Sequence, residues 1–149
     1  MRAVVQRVTS ASVTVEGKEV SRIEHGLAVL VGVETDDQER DAEWLAEKLA
    51  HLRIFEDDEG KLNRSVQDVS GALLLVSQFT LLGDAKKGRR PSFVRAEKGM
   101  RSKELFDKTV ALCKSYDLLV QTGVFGADMQ FSLVNDGPVT ILLDSRRPL

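Results

Sequence analysis

Cysteine is nearly absent from this chain: Cys113 is the only one. That excludes an internal disulfide framework and any zinc site built on thiolates, and it suits a reducing cytoplasm. Histidine is almost as scarce, with only His25 and His51. His25 falls in a predicted turn, and His51 falls at a predicted helix end, where the helix dipole accounts for it. Neither sits near a Ser or Asp pattern, so a protease-like triad has no support, and no His, Cys and carboxylate cluster has metal spacing. Long hydrophobic runs are missing too. Leu27 to Val33, with one glycine, is the longest, too short to span a bilayer. The N-terminus alternates apolar and polar residues without a signal-peptide core, which argues against secretion. No Gly-x-Gly-x-x-Gly or Walker loop follows a strand, which argues against a nucleotide cofactor. The expectation is no cofactor, no metal and no membrane.

What is present is ordinary globular material: 149 residues, 42% hydrophobic and 30% charged, enough for one domain with a sizeable core. The net charge of -2 does not point to nucleic acid, but its distribution does. Between Lys86 and Lys103 lie Lys86, Lys87, Arg89, Arg90, Arg95, Lys98, Arg101 and Lys103 against the single acid Glu97. Such a run reads either as a solvated loop or as a phosphate-contacting patch on an otherwise acidic protein.

Patterning predicts many strands and two helices. Arg2 to Val8 and Ala11 to Val15 read as strands, the second by its period of two. Glu16-Gly17-Lys18 turns into a strand near Glu19 to Ile23, and Leu27 to Val33 reads as a central strand. Thr35 is the expected cap of a helix running to about Leu52, with Gln38 three residues on. Arg53 to Phe55 and Lys61 to Asn63 read as short strands about a turn at Asp57 to Gly60. Gly83 to Gly99 is a long loop, of the kind that is usually functional or disordered. Ser102 is the expected cap of a second helix ending near Tyr116, with Cys113 on its buried face. Leu118 to Thr122, Met129 to Val134 and Val139 to Leu143 close the chain with strands, and 145–149 is expected to fray. Two helices among mostly antiparallel strands argue an α/β or α+β domain.

Between the helices stands Gly71 to Leu82. An apolar run, Ala-Leu-Leu-Leu-Val, suits a strand buried on both faces, and it ends in Ser77-Gln78-Phe79-Thr80. Polar groups there need partners or ligands, because an unpaired buried one costs about 1–3 kcal/mol. On residues alone, Ser77 and Thr80 could simply satisfy backbone at a strand end. Similarly, Asn135-Asp136-Gly137-Pro138 on its own reads as a hairpin loop.

Together these two stretches say more. Ser77-Gln78-Phe79-Thr80-Leu81 and Asn135-Asp136-Gly137-Pro138-Val139-Thr140 resemble the two signatures of the D-aminoacyl-tRNA deacylases. The likeness extends from Met1-Arg2-Ala3-Val4-Val5-Gln6-Arg7-Val8 to about Asp144. Modest departures are Ser21-Arg22 before Ile23, Leu62 and Arg64 around Asn63, and Phe131 where a smaller residue is usual. The resemblance implies an α/β fold, a single layered α/β/β deacylase domain over 1–149 with sheets curled toward a barrel. It also implies a homodimer with active sites at the interface, and a tRNA substrate esterified to a D-amino acid or glycine. Ser77, Gln78, Phe79 and Thr80 would be the catalytic group, with backbone N–H groups as an oxyanion hole and the ribose 2′-OH in place of a base. Gly137 and Pro138 would form a cis bond and hold the substrate amine in the partner's site, with Asn135, Asp136, Met129 and Arg7 around it. Lys86, Lys87, Arg89 and Arg90 would contact RNA phosphates. Two other readings stay open: a non-catalytic RNA-binding module using the basic loop alone, and an amidase with Thr80 as nucleophile.

Overall fold

A computed structural model describes residues 1–149. Its frame is one long antiparallel ribbon. Strand β1 (Arg2–Val15) turns at Glu16-Gly17 into β2 (Lys18–Ile23), which continues after a two-residue break as β3 (Gly26–Gly32). Ala11 faces Ile23 and Val8 faces Gly26 in one unbroken register. The two N-terminal strands expected from the sequence are therefore a single bent one. Helix α1 (Glu39–His51) follows, then the small hairpin β4 (Phe55–Glu56) and β5 (Leu62–Arg64). Strand β6 (Ala72–Ser77) joins β3 in parallel and ends in a 3-10 turn, Phe79–Leu82. Helix α2 (Gly99–Lys114) leads to β7 (Leu119–Thr122), parallel to β6, and β8 (Gln130–Asp144) lies antiparallel along the other edge of β1. The sheet order is β2-β1-β3-β6-β7, with β8 added on β1.

Alternation along the central strands builds two cores. Leu27, Val29, Val31, Leu73 and Leu75 face the helices, where Leu45, Leu49, Phe106 and Cys113 meet them. Ala28, Ala72, Leu74 and Val76 face the other way, onto Val8, Val13 and Ile23, with Met129, Phe131 and Leu133 packed alongside. The second core exists because the ribbon curls back over the sheet. The result is an α/β fold, helices on a mixed sheet that is nearly closed toward a barrel. Close approach of β3 to β6 requires glycine at 26, where a Cβ would stand 1.9 Å from the Ala72 carbonyl oxygen. No helix is long and apolar enough to cross a membrane.

Four local expectations are corrected. Helix α1 is capped by Gln38, not Thr35: the Asp41 carboxylate accepts from the Gln38 N–H at 2.8 Å, and Thr35 instead donates its N–H to the Arg95 carbonyl. Helix α2 begins at Gly99 with Lys98 as cap, so Ser102 lies inside it and is buried. Asn135 to Pro138 is no hairpin but a bulged excursion within the 15-residue β8. Gln6 pairs with Thr140 and Val8 with Asn135, so the residues between loop out opposite Arg7. Finally, 145–147 are anchored, not frayed. Ser145 donates to Asp41 Oδ1 at 2.6 Å, and Arg146 and Arg147 both close on Glu34.

Candidate active site

Strand β6 delivers Ser77 to a cavity of ≈ 670 Å³. Ser77, Gln78 and Phe79 line it together with Phe93, Glu97 and Ser102 from the 93–102 segment and Phe125, Met129 and Phe131 from the approach to β8 and its start. Phe79 is 55% exposed, and its ring meets Phe93 edge-on at 5.2 Å between centroids. Met129, a residue expected at the site, lines this cavity together with Phe131.

The backbone of the turn is the informative part. Gln78 donates its N–H to the Val31 carbonyl at 2.8 Å, so it is committed to the sheet and unavailable to a ligand. This narrows the expected backbone donors around Gln78-Phe79-Thr80 to the last two residues. The first N–H groups of a 3-10 turn have no carbonyl to meet within it. Leu81 is bonded back to Gln78, but no turn, loop or side-chain bond takes the N–H of Phe79 or of Thr80. Both donors follow directly on a buried strand, Phe79 on the lining of the open cavity and Thr80 one residue beyond that lining.

No histidine or thiol lines the cavity; its carboxylates are Asp128 and Glu97, the latter paired with Arg101 at 3.4 Å. The Thr80 hydroxyl accepts a short hydrogen bond from the Gln78 side-chain amide. His51 donates its Nδ1–H to the Glu47 carbonyl in the last turn of α1 and packs on Tyr116, while His25 packs on Phe55. Cys113 is fully buried, and burial pushes its thiol up to about 12, which keeps it from acting as a nucleophile. No three His, Cys, Asp or Glu side chains converge on one point.

The second motif lies elsewhere on the surface. The Gly137–Pro138 bond is cis, and both residues are exposed. Neither they nor Asn135 nor Asp136 line the cavity of the same chain. Asn135 commits its amide to the excursion itself: Oδ1 accepts from the Val139 N–H at 2.9 Å and Nδ2 donates to Thr140 Oγ1 at 3.0 Å. Arg7, only 5% exposed, donates Nε to the Asp136 carbonyl at 3.1 Å and Nη1 to the Ile54 carbonyl at 2.9 Å. It thus ties the excursion to the segment leading into β4.

The basic loop divides into paired and unpaired charges. Arg95 pairs with Glu34, Arg101 with Glu97 and Lys103 with Asp107. Lys86, Lys87, Arg89 and Arg90 are exposed and their side chains make no ion pair or hydrogen bond. They stand on a loop closed at its base by two backbone bonds between Asp84 and Ser92. Sequence reasoning missed Phe93, Glu97, Ser102 and Phe125, which reach the cavity from separate segments. An aromatic residue inside a basic loop was the one available hint.

Comparison with known proteins follows the same line. The profile of a family described as D-Tyr-tRNA(Tyr) deacylase matches residues 4–144. A D-aminoacyl-tRNA deacylase of Desulfitobacterium hafniense is 60% identical over 147 residues, covering 99% of each chain. Among solved structures, one named c-Myc DNA Unwinding Element Binding Protein superposes with a TM-score of 0.93 at 42% identity, over 99% of this chain and 100% of that one. Another, "Structural Analysis of a probable eukaryotic D-amino acid tRNA deacylase", shares the fold at a TM-score of 0.83 with 17% identity, over 95% and 97% of the two chains.

Proposed function

Because this chain belongs to the D-Tyr-tRNA(Tyr) deacylase family, we propose that it hydrolyses the ester linking a D-amino acid to the terminal ribose of tRNA. The observation that carries the mechanism is the pair of N–H groups on Phe79 and Thr80 that no turn, loop or side-chain bond takes, with Phe79 on the lining of a cavity that holds no histidine or thiol. An aminoacyl ester is already activated, so the protein can act chiefly by stabilising the oxyanion. One preorganised donor is worth about 2.7–4 kcal/mol. Water attacks the ester carbonyl, the two N–H groups receive the developing charge, and the ribose oxygen leaves with a proton. The neighbouring 2′-OH orients that water. Thr80 is not the nucleophile in this scheme, since its hydroxyl is held by Gln78 and nothing near it accepts its proton.

Chirality is selected by the second motif, supplied by a partner copy. Gly137 and Pro138 are exposed and do not line their own cavity, and β8 carries Val134 and Leu142 exposed. A homodimer formed there would bring the Gly137 and Pro138 carbonyls to the substrate amine in the neighbouring site. With amine and ester both fixed, an L side chain meets the wall and a D side chain points outward. Glycine, lacking a side chain, is admitted, so glycyl-tRNA is a second substrate. The role is proofreading, in the cytoplasm.

The unpaired cations of the 83–99 loop equally favour a non-catalytic nucleic-acid-binding module, but such a module has no use for the free N–H pair. Incubation with D- and L-aminoacyl-tRNA separates the readings. Release of the D-amino acid with the L-ester intact is expected. Binding without hydrolysis of either ester overturns the enzymatic reading, and cleavage of RNA-free amides would restore Thr80 as a nucleophile.

A further inference from the structure

We propose that a second cleft, walled by Arg2, Lys86, Arg95 and Arg147, binds a phosphodiester of the RNA segment leading into the ester-bearing ribose. The proposal rests on the reading of the neighbouring cavity as the ester site. The cleft encloses ≈ 510 Å³. Its walls hold those four cations and one acid, Asp84, whose Oδ1 already accepts the Lys86 N–H at 2.9 Å.

The guanidinium groups are held from behind. Glu34 and Asp144 lie beneath them with side chains only 6% and 1% exposed. Arg95 meets Glu34 at 3.1 Å, Arg147 bridges Glu34 and Asp144, and Arg2 meets Asp144 at 3.2 Å. The three arginine side chains remain 22–41% exposed on the cleft side. Buried carboxylates thus fix the orientation of the forks while leaving N–H groups outward. Arg2 uses Nε and Nη1 and keeps Nη2; Arg95 bonds through Nη2 alone. Lys86 has no partner for its ammonium. Planar, pre-oriented guanidinium donors are the groups best matched to phosphate oxygens.

Position identifies which phosphate. Arg2 Nη1 donates to the Leu81 carbonyl at 3.1 Å, on the turn whose first residues carry the free N–H groups. Segment 93–97 forms the partition: Phe93 and Glu97 face the ester cavity, whereas Arg95 faces the cleft. A single strand of RNA can therefore straddle that wall with its terminal ribose on one side and its preceding phosphate on the other. A macromolecule bound only through the loop tip would not need this cleft.

The test uses three D-aminoacyl esters: full tRNA, a trinucleotide with the sequence of the tRNA 3′ end, and adenosine alone. Two variants are compared with the wild type. Arg2→Gln removes a donor. Ala85→Glu adds a negative charge to the lining and leaves every brace in place, which guards against a merely destabilised Arg2 variant. Each should lower kcat/KM about tenfold or more on tRNA and on the trinucleotide, through KM, as expected for loss of a charge-assisted bond. Ala85→Glu should cleave the adenosine ester, which has no phosphodiester, at the wild-type rate, whereas Arg2→Gln also loses a bond to the Leu81 carbonyl of the turn and is read on tRNA and the trinucleotide. An equal loss of Ala85→Glu on adenosine, no loss on any substrate, or a loss on full tRNA alone would each overturn the assignment. Failure of the wild type on all three esters would overturn the ester-site reading itself, and the cleft assignment with it.

Discussion

Replacing Arg7 by methionine should loosen the excursion of β8 without disturbing the strand it sits on. Methionine keeps much of the aliphatic volume and removes all five donors. The guanidinium is 5% exposed and gives two charge-assisted bonds, to the Asp136 and Ile54 carbonyls. Each such bond contributes about 1.5–3 kcal/mol. Its carboxylate neighbours add little: Glu56 stands at 3.7 Å and is 57% exposed, and Asp136 stands at 3.6 Å and is 43% exposed. The Asp136 carbonyl can be rehydrated at the surface once the arginine is gone, whereas the Ile54 carbonyl lies deeper. The net cost should therefore be about 3 kcal/mol, near the low end of the two-bond sum. For a domain of this size that is a fall in Tm of about 6–12 °C.

The functional effect should exceed what stability explains. Gly137 lies against Arg7, since a Cβ there would be 3.0 Å from Arg7 Nη2. Without that backing, the exposed pair at 137–138 loses its fixed direction, and deacylation of D-aminoacyl-tRNA should fall even at temperatures where the variant is fully folded. Thermal unfolding by circular dichroism and deacylation kinetics at 25 °C measure the two effects separately. An unchanged Tm refutes the bracing. A lowered Tm with intact rate and chirality makes the brace purely structural.

Four further outcomes are expected. Thr80→Val should keep activity within about tenfold, because the proposed oxyanion donor is the backbone N–H; a loss beyond about 10³-fold, the scale of a full donor, would return the hydroxyl to the chemistry. Neutralising Lys86, Lys87, Arg89 and Arg90 should weaken tRNA binding and flatten its salt dependence by roughly 0.9 in log–log slope per lost duplex phosphate contact, and an unchanged slope places the RNA elsewhere. Gly137→Ala should cost about 1–3 kcal/mol, because φ is +128° and the added Cβ would stand 2.9 Å from Val139 Cγ2; full activity with full D-selectivity would show that the excursion does not screen substrate. Burial opposes ionisation of Glu34, yet the hydrogen bond from Arg147 and the charges of Arg146, Arg147 and Arg95 outweigh it and hold its carboxyl at about 2 against an ordinary 4.5. Its contribution, about 3 kcal/mol, is therefore present above about pH 4.5 and lost as pH falls toward 2, so Glu34→Gln should lower Tm at pH 7 and flatten its decline in acid. An acid limb with the same slope in both proteins would remove Glu34 from the account.

The legible parts of this fold were those set by neighbours in sequence. Strands β3 and β6 announced themselves as continuous apolar runs because each is buried on both faces. Helix interiors were clear from spacing, but their starts were not. The expected cap at Thr35 fails because its N–H is claimed by the distant Arg95 carbonyl, while the neighbouring Asp37 carboxylate turns back to the Glu34 N–H. The excursion at 135–138 mimicked a hairpin because Asp-Gly and Pro are turn residues in either setting. Only β1 running continuously past it, with Arg7 opposite, makes it a bulge. Of the cavity, residues 77–79 and Met129 were readable from motif and resemblance, whereas Phe93, Glu97, Ser102 and Phe125 converge only after folding. The cluster of Glu34 with Arg146 and Arg147 spans more than a hundred residues of chain, a separation no local pattern reveals.

The same bonds that hold the sheet together also preorganise the candidate site. Gln78 gives its N–H to Val31, which commits the last residue before the turn to strand pairing. The chain then leaves the sheet at Phe79, and no turn, loop or side-chain bond takes the next two N–H groups. The facing wall is pinned by equally rigid means: Thr35 N–H to the Arg95 carbonyl, Glu97 N–H to the Val33 carbonyl, and Arg95 to the buried Glu34. Glu34 in turn is clamped by the two C-terminal arginines. An oxyanion site made of main chain works only if its donors need not move when charge develops. Here that rigidity comes from β3, the sheet's central strand, and from an ion cluster joining positions 34, 95, 146 and 147. Under the proposed mechanism, selectivity can therefore rest on exposed backbone elsewhere while the two proposed oxyanion donors stay fixed.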